Sequence, residues 1–482
     1  MRRSGAYLTV YLALCLTLLL SLYLVMIDGA RRNGARLEAV CATEAGLQSI
    51  MAEYHRELLE QYNLFAIDST YGSSAAGRRN TEEHLRQYIE RNLSFEDILL
   101  SDYLYRDFFG LKLENAELSG ASFLTDGGGA LFRQRAVEAV KDDIGLHLLE
   151  EIREWLRVIE VNGLDRSELE AAKRQVDGQI EEYNGLEVSI SEDESVCVEI
   201  ENPTDALEAK RRLGILRLAL EEPDNVSGNR VNGEVLVKSR MEKGIVNRGN
   251  LETAEADDLV SRFLFQEYLF RYMGYFGEED PETALRYQIE YLIAGNDSDA
   301  DNLRSVANRI CAIREAANAL FLFADQEKRA EIEAAAIVVC GIFALPVLIP
   351  LVEFAILMGW AYAESIYDVK SLLAGGRIPL IKDSSGWHYS LEAALSGELQ
   401  DVTEGGDGLS YQDYLRVLML LTDLETLTQR AMNMVEADIR RTEGNASFRL
   451  DACMDRLEAA VCIKSSFGYE FQIQRKRSYE GR

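Results

Sequence analysis

Only six prolines and four histidines occur in 482 residues. So few prolines favour long helices over loops, and the histidines (His55, His84, His147, His388) stand apart, with no HExxH, no GxSxG and no Cys-His pairing. Those absences remove the sequence signatures of zincins, α/β-hydrolases and cysteine nucleophiles, although folding can still bring distant groups together. Seven cysteines (Cys15, Cys41, Cys197, Cys311, Cys340, Cys453, Cys462) include no CxxC, and an odd, scattered set does not read as a disulfide framework. Buried free thiols are the expected state. Basic residues are the scarcer sign, 51 against 81 acidic, for a net charge of -30. Such a surface repels nucleic acid and anionic headgroups and favours solubility, which suits an extracytoplasmic location. There is no fixed-period repeat and no low-complexity linker.

One long uncharged run is present. Ala6 to Ile27 is free of charge, Gly and Pro, and about 20 apolar residues suffice to cross a bilayer. Cleavage of a signal after Ala30 would put Asp28 where a small residue is required, so an uncleaved anchor is expected, carried by Leu8, Leu12, Leu16, Leu20 and Leu24. Arg2 and Arg3 are balanced by Arg31, Arg32 and Arg36, so charge alone leaves the orientation nearly undecided. A short inner N-terminus places the acidic bulk outside.

Beyond the run, Leu37, Val40, Leu47, Met51, Tyr54, Leu58, Tyr62 and Phe65 recur at helical steps. They predict one continuous helix over residues 6–65, a rod of about 90 Å. Its amphipathic part is either a core helix of the following domain or a spine whose face (Leu37, Val40, Leu47, Met51, Tyr54, Leu58) also packs against other subunits.

The rest alternates between helical and strand periods. Leu111, Leu113, Ala116 and Leu118 suggest a strand, and Thr125 to Gly129 a turn without the flanking motif of a phosphate loop. A helix is expected from Phe132 to about Tyr183, then a hairpin through Val188, Ile190, Val196, Val198 and Ile200 around an acidic turn. Pro203 opens a helix ending before Pro223, followed by a loop from Asp224 to Asp258 with a strand at 235–237. Helices over 259–276 and 281–294 come next. Asp297, Asp299 and Asp301 match the first three ligands of a calcium loop, but Asn302 and Asn308 occupy the Gly and Glu places, and capping of a helix from about Leu303 explains the aspartates. Ala334 to Val352 is uncharged but interrupted by Pro346 and Pro350, which suits a buried or membrane-touching helical hairpin, a second span being the alternative. Ser410 and Asp413 start an amphipathic helix through Met434, and Leu457 to Ile463 with Tyr469 to Ile473 form a terminal hairpin. The fold class is therefore α+β: a transmembrane helix (1–30), an amphipathic helix (31–70), an α+β region (71–223), a loop and helical region (224–330), a hydrophobic hairpin (331–370) and a C-terminal helix with hairpin (371–482).

The stretches GARLEAVCATEAGLQSIMAEYHRELLEQYNLFAID, SFLTDGGGALFRQRAVEAVK, NPTDALEAKRRLGILRL, WAYAESIYDVKSLLAGGRIPLIK and SYQDYLRVLMLLTDLETLTQRAMNMVEADIR, in this order, resemble a family of membrane-anchored proteins of Gram-positive bacteria. Such proteins tend to be encoded near Tad-type pilus or secretion genes, and the N-terminus is similar to the TadE and TadG pseudopilin-like proteins. The resemblance implies a non-enzymatic assembly component whose partners are the bilayer and other proteins of the apparatus, and it brings no catalytic, cofactor or metal residues with it. Processing before Ala6 would require a pilin Glu where Val10 stands, which sets the chain apart from polymerising pilins. The alternative is an anchored sensor or ligand-binding protein, using aromatics around Trp360, Tyr362, Tyr367, Trp387 and Tyr389.

Overall fold

The computed structural model describes residues 4–73, 77–94, 108–141, 157, 175–176, 178–179, 187–191, 194–197, 205–251, 258–341, 348–398, 400–402 and 406–479. In chain order its helices are α1 (Ser4–Met51), α2 (Arg56–Tyr62), α3 (Arg78–Leu93), α4 (Asp126–Val140), α5 (Asp205–Arg211), α6 (Ile215–Ala219), α7 (Val237–Glu242), α8 (Leu259–Tyr272), α9 (Gln288–Ala294), α10 (Asp299–Ala324), α11 (Gln326–Gly341), α12 (Ile349–Leu373), α13 (Leu391–Ser396), α14 (Tyr411–Leu421) and α15 (Leu424–Arg441). The strands are β1 (Ile67–Asp68), β2 (Leu111–Phe123), β3 (Glu187–Ser191), β4 (Glu194–Cys197), β5 (Cys453–Ser465) and β6 (Glu470–Ser478). The α+β class holds. The chain forms two units, neither a single stretch: residues 1–139, 234–256 and 435–482 make the first, and residues 140–233 and 257–434 the second.

The first unit is built on an antiparallel sheet with β5 at its centre, paired with β2 along one side and with β6 and the short β1 along the other. Alternation aims Leu457, Ala459, Val461 and Ile463 of β5, with Phe471 and Ile473 of β6, into one core. β2 keeps its apolar residues on that face by bulges after Leu113 and Leu118. Each bulge inserts one residue, so the series facing the core, Leu111, Leu113, Ala116, Leu118, Ala121, steps by two along the strand and by three across each bulge. Helices α1 and α3 cover this face. Ala35, Ala39, Ala42, Leu47 and Ile50 of α1 meet Leu85, Ile89 and Leu93 of α3 there. Small residues are needed for the approach: a Cβ on Gly46 would lie 2.7 Å from Ile89.

Helix α1 is 48 residues long, about 72 Å, and stops at Met51, well short of residue 65. No Pro or Gly marks the stop. Instead Glu53 accepts hydrogen bonds from the Tyr71 and Tyr88 hydroxyls (3.0 and 2.7 Å) and lies 3.1 Å from His84 Nδ1. His55 N donates to Ala66 O (2.8 Å), and the His55 ring caps α2 by accepting from Leu58 N (3.3 Å). These contacts come from distant residues, so the apolar period continued through the break by coincidence.

In the second unit α10, α11 and α12 pack together, with α9 and α6 against them. Their core holds Leu322, Ile332, Ala336, Val352, Ile356 and Trp360. Helices α11 and α12 pack on each other where a hydrophobic hairpin is expected over 331–370, and residues 342–347 between them lie outside the described residues. Most of the apolar span of α12, 72% of it, is buried by protein, so it behaves as a core helix. The hairpin β3–β4 is present, Glu187 pairing with Cys197 and Val188 with Val196.

Several boundaries differ from the sequence reading. Residues 235–237 form no strand but the end of a 3-10 turn and the start of α7, because Val235 is exposed and meets no strand among the described residues. Helix α9 begins at Gln288, not 281, since residues 276–287 form a turn held by Phe276 N on Glu290 and by Arg286 N on Asp299. The helix at 203–222 is split at Gly214, whose φ of 87° interrupts it. The one at 410–434 is broken after Leu421, where Asp423 accepts from Thr426 N and starts α15. The capping box of Ser410 and Asp413 and the terminal hairpin are as expected. The helix from Phe132 is described only to Val140 of α4, and its continuation from 142 to 156 lies outside the described residues.

Candidate functional site

The anchor residues Leu8, Leu12, Leu16, Leu20 and Leu24 all lie in a stretch where every large apolar side chain from Tyr7 to Met26 is at least 50% exposed. Among the described residues no folded element covers these side chains, and the stretch is apolar on all sides, as a bilayer requires. It runs unbroken into the part of α1 that packs on the sheet.

The proposed assembly face fares differently along its length. Leu47 and Leu58 are wholly buried inside the first unit, and Val40 and Met51 are half-buried against the same core. Leu37 (66% exposed) and Tyr54 (39%) remain at the surface. The face that packs is offset toward Ala35, Ala39 and Ala42, because a sheet approached this closely selects small residues rather than large ones. The helical spacing was visible in the sequence, but the size preference was not.

Other motifs resolve into local structure. Gly127, Gly128 and Gly129 adopt left-handed φ values of 64°, 68° and 91°, and the Asp126 carboxylate accepts from Phe123 N (2.8 Å) and Gly249 N (2.9 Å), so it ties the turn to the protein. Ser298 caps α10, which starts at Asp299 rather than at Leu303. Asp299 is fully buried and accepts from Ser227 Oγ (2.6 Å), Arg286 N (3.0 Å) and Tyr287 N (3.1 Å), an anchoring role for the preceding loop. The acidic turn at 192–193 lies outside the described residues. Cys311, Cys340 and Cys453 are buried free thiols, whereas Cys41 is free but exposed.

The aromatic cluster is filled core. Trp360 is fully buried and donates its indole N–H to Tyr389 O (2.9 Å), as does Trp387, and the two rings meet edge to face at 5.6 Å. Beside it lies a group of charges that sequence reasoning passed over. Glu364 and Asp368 sit four residues apart on α12, and Arg314 and Asn318 four apart on α10, so each pair shares a helix face. Arg314 donates to Asp368 (2.9 Å), Asn318 (3.0 Å) and the carbonyls of Pro379 and Leu380 (2.8 and 2.6 Å). Lys382 Nζ pairs with Glu364 and with Asp368 (2.5 Å). Glu364 also accepts from Tyr389 N (2.9 Å) and His388 N (3.1 Å). All four charged groups are buried and the two signs balance. Burial alone pushes the Asp368 carboxyl up, and Arg314 and Lys382 outweigh it, holding the group below its usual range. A balanced, hydrogen-bonded set of this kind fixes which helix faces meet, at little net gain in stability. The signal available in the sequence was two carboxylates at helical spacing inside a long apolar run.

A different buried acid lacks such partners. Glu290 on α9 accepts at Oε1 from Phe276 N (3.0 Å) and Tyr411 Oη (2.8 Å), while Oε2 has no hydrogen-bond partner among the described residues. Burial pushes its carboxyl up to about 7, against the lowering effect of those two bonds. In the same unit, an open groove of about 500 Å³ lies between α11 and α12, with Ile332, Phe354 and Leu357 in its lining and Arg329, Glu333 and Glu353 at its rim. Among the described residues no group of three or more His, Cys, Asp or Glu is placed to hold a metal ion.

The profile of a family described as of unknown function (DUF5702) matches residues 194–465, more than half of the chain, and leaves α1 outside the match. No curated protein and no solved structure matches the chain.

Proposed function

The chain belongs to the DUF5702 family, and from that premise we propose that it is a non-enzymatic, membrane-anchored structural or assembly component of an envelope apparatus. The observation that carries this reading is α1. One uninterrupted helix has an apolar portion whose large side chains are exposed among the described residues and a second portion locked into the core of the first unit, so movement or packing of the membrane segment is transmitted to the folded part without a hinge. The bulk of the chain is placed outside the membrane, in keeping with the charge of -30. The resemblance of the N-terminus to TadE and TadG makes a Tad-type pilus or secretion apparatus the proposed setting. Because Leu47 and Leu58 are used internally, lateral contacts of the anchor are assigned to residues 7–27, with Leu37 and Tyr54 as the accessible part of the proposed assembly face. Support for a non-enzymatic role comes from the buried set of Arg314, Lys382, Glu364 and Asp368, whose charges engage one another.

Co-purification of the detergent-solubilised protein with pilus or secretion components is the expected result. Assembly that stays intact after deletion of the whole chain overturns the proposal. The open groove favours a second reading, an anchored ligand-binding protein, for which retention of a small molecule through purification is the expected sign.

A further inference from the structure

The groove between α11 and α12 combines an apolar floor with charges that have been left open. Ile332 and Leu357 are buried at its base, and Phe354 and the 45%-exposed Phe323 form apolar walls. The side chains of Arg329, Glu333 and Glu353 make no hydrogen bond or ion pair among the described residues. This contrasts with other acids of the same unit, where Glu267 is held by Arg416 at 2.7 Å and Glu315 by Arg211 at 3.0 Å. Glu327 and Glu331 of α11 are also exposed, whereas the neighbouring Lys328 is turned onto the Trp360 ring, 4.5 Å away. The local field is therefore negative around an apolar trough, with Arg329 as its one basic rim residue.

We propose that this groove is a docking site for a basic amphipathic helical segment of a partner protein, its apolar stripe seated on Ile332, Phe354 and Leu357 and its Lys or Arg side chains paired with Glu333 and Glu353. Charge complementarity selects this occupant. An anionic lipid or an acidic peptide meets two carboxylates, and a second copy of this chain brings a surface of the same sign. A volume of about 500 Å³ lies within the usual range of ligand-sized clefts, and an amphipathic helix seats its apolar face in a groove of this kind. The site is a property of the second unit and does not rest on the assembly role proposed above.

The test uses full-length protein in detergent micelles and a fluorescent synthetic peptide of about four turns, with Leu at i, i+3, i+4 and i+7 and Lys elsewhere, followed by anisotropy. Saturable binding is expected. Glu333→Lys combined with Glu353→Lys weakens it about tenfold, and Phe323→Ser weakens it as well, with unfolding temperatures unchanged because all three side chains are at least partly exposed. Glu278→Lys with Glu279→Lys, exposed acids that do not line the groove, leaves binding intact. Equal loss in that control shows diffuse attraction to an acidic chain and overturns the proposal. So does equal binding of a peptide with Glu in place of Lys, displacement by short-chain phosphatidylcholine, which marks a lipid site, or concentration-dependent dimerisation that blocks the peptide, which marks a site for a second copy.

Discussion

Replacing Glu290 with Gln tests the burial argument at one atom. The carboxyl is fully enclosed, among the described residues Oε1 accepts two hydrogen bonds and Oε2 none, and its pKa is pushed from 4.5 up to about 7. A carboxyl whose pKa is raised on folding contributes most below pH 4.5, where both states are protonated. That contribution is lost as pH rises toward 7, because the unfolded chain ionises freely and the folded one resists. The shift corresponds to about 3 kcal/mol between those limits. Gln keeps the acceptor at Oε1 and cannot ionise, but its amide nitrogen takes the place of Oε2 without a partner and costs about 1 kcal/mol. Relative to wild type, Glu290→Gln is therefore expected to be less stable by about 1 kcal/mol at pH 4.5 and more stable by about 2 kcal/mol at pH 8. The assay is thermal unfolding of the detergent-solubilised protein from pH 4.5 to 8.5, followed by tryptophan fluorescence, since the second unit contains Trp360 and Trp387. A change of sign in the difference in unfolding temperature is the expected result. A difference independent of pH, or a variant less stable at pH 8, refutes the reasoning.

Leu47→Asp places a charge in the fully buried core of the first unit and is expected to cost about 4 kcal/mol or more, whereas Leu37→Asp, at an exposed position, leaves folding unchanged; limited proteolysis of the two variants separates them. Gly46→Val drives a side chain into Ile89 and is expected to destabilise the packing of α1 on α3 by about 1 to 3 kcal/mol, read by denaturant titration. Lys382→Met leaves Glu364 and Asp368 with one cation fewer and is expected to cost about 3 to 5 kcal/mol, while adding Glu364→Gln recovers part of that loss. Equal stability of the single and double variants counts against the network.

Some of this was legible in the chain itself. A charge-free run from Ala6 to Ile27 can satisfy its backbone in a bilayer only as a helix, so composition alone fixed that element. Alternation fixed β5 and β6, and the Ser410–Asp413 box fixed the start of α14, because each signal is carried by neighbouring residues. The end of α1 was decided by His84, Tyr71 and Tyr88 converging on Glu53, the packed face of α1 by how closely a distant sheet could approach, and the placement of α12 inside protein by Arg314 and Lys382 reaching Glu364 and Asp368. Local sequence sets what a segment can form. Where it stops and what it meets are set by partners tens or hundreds of residues away, whose energy enters only when the chain has folded.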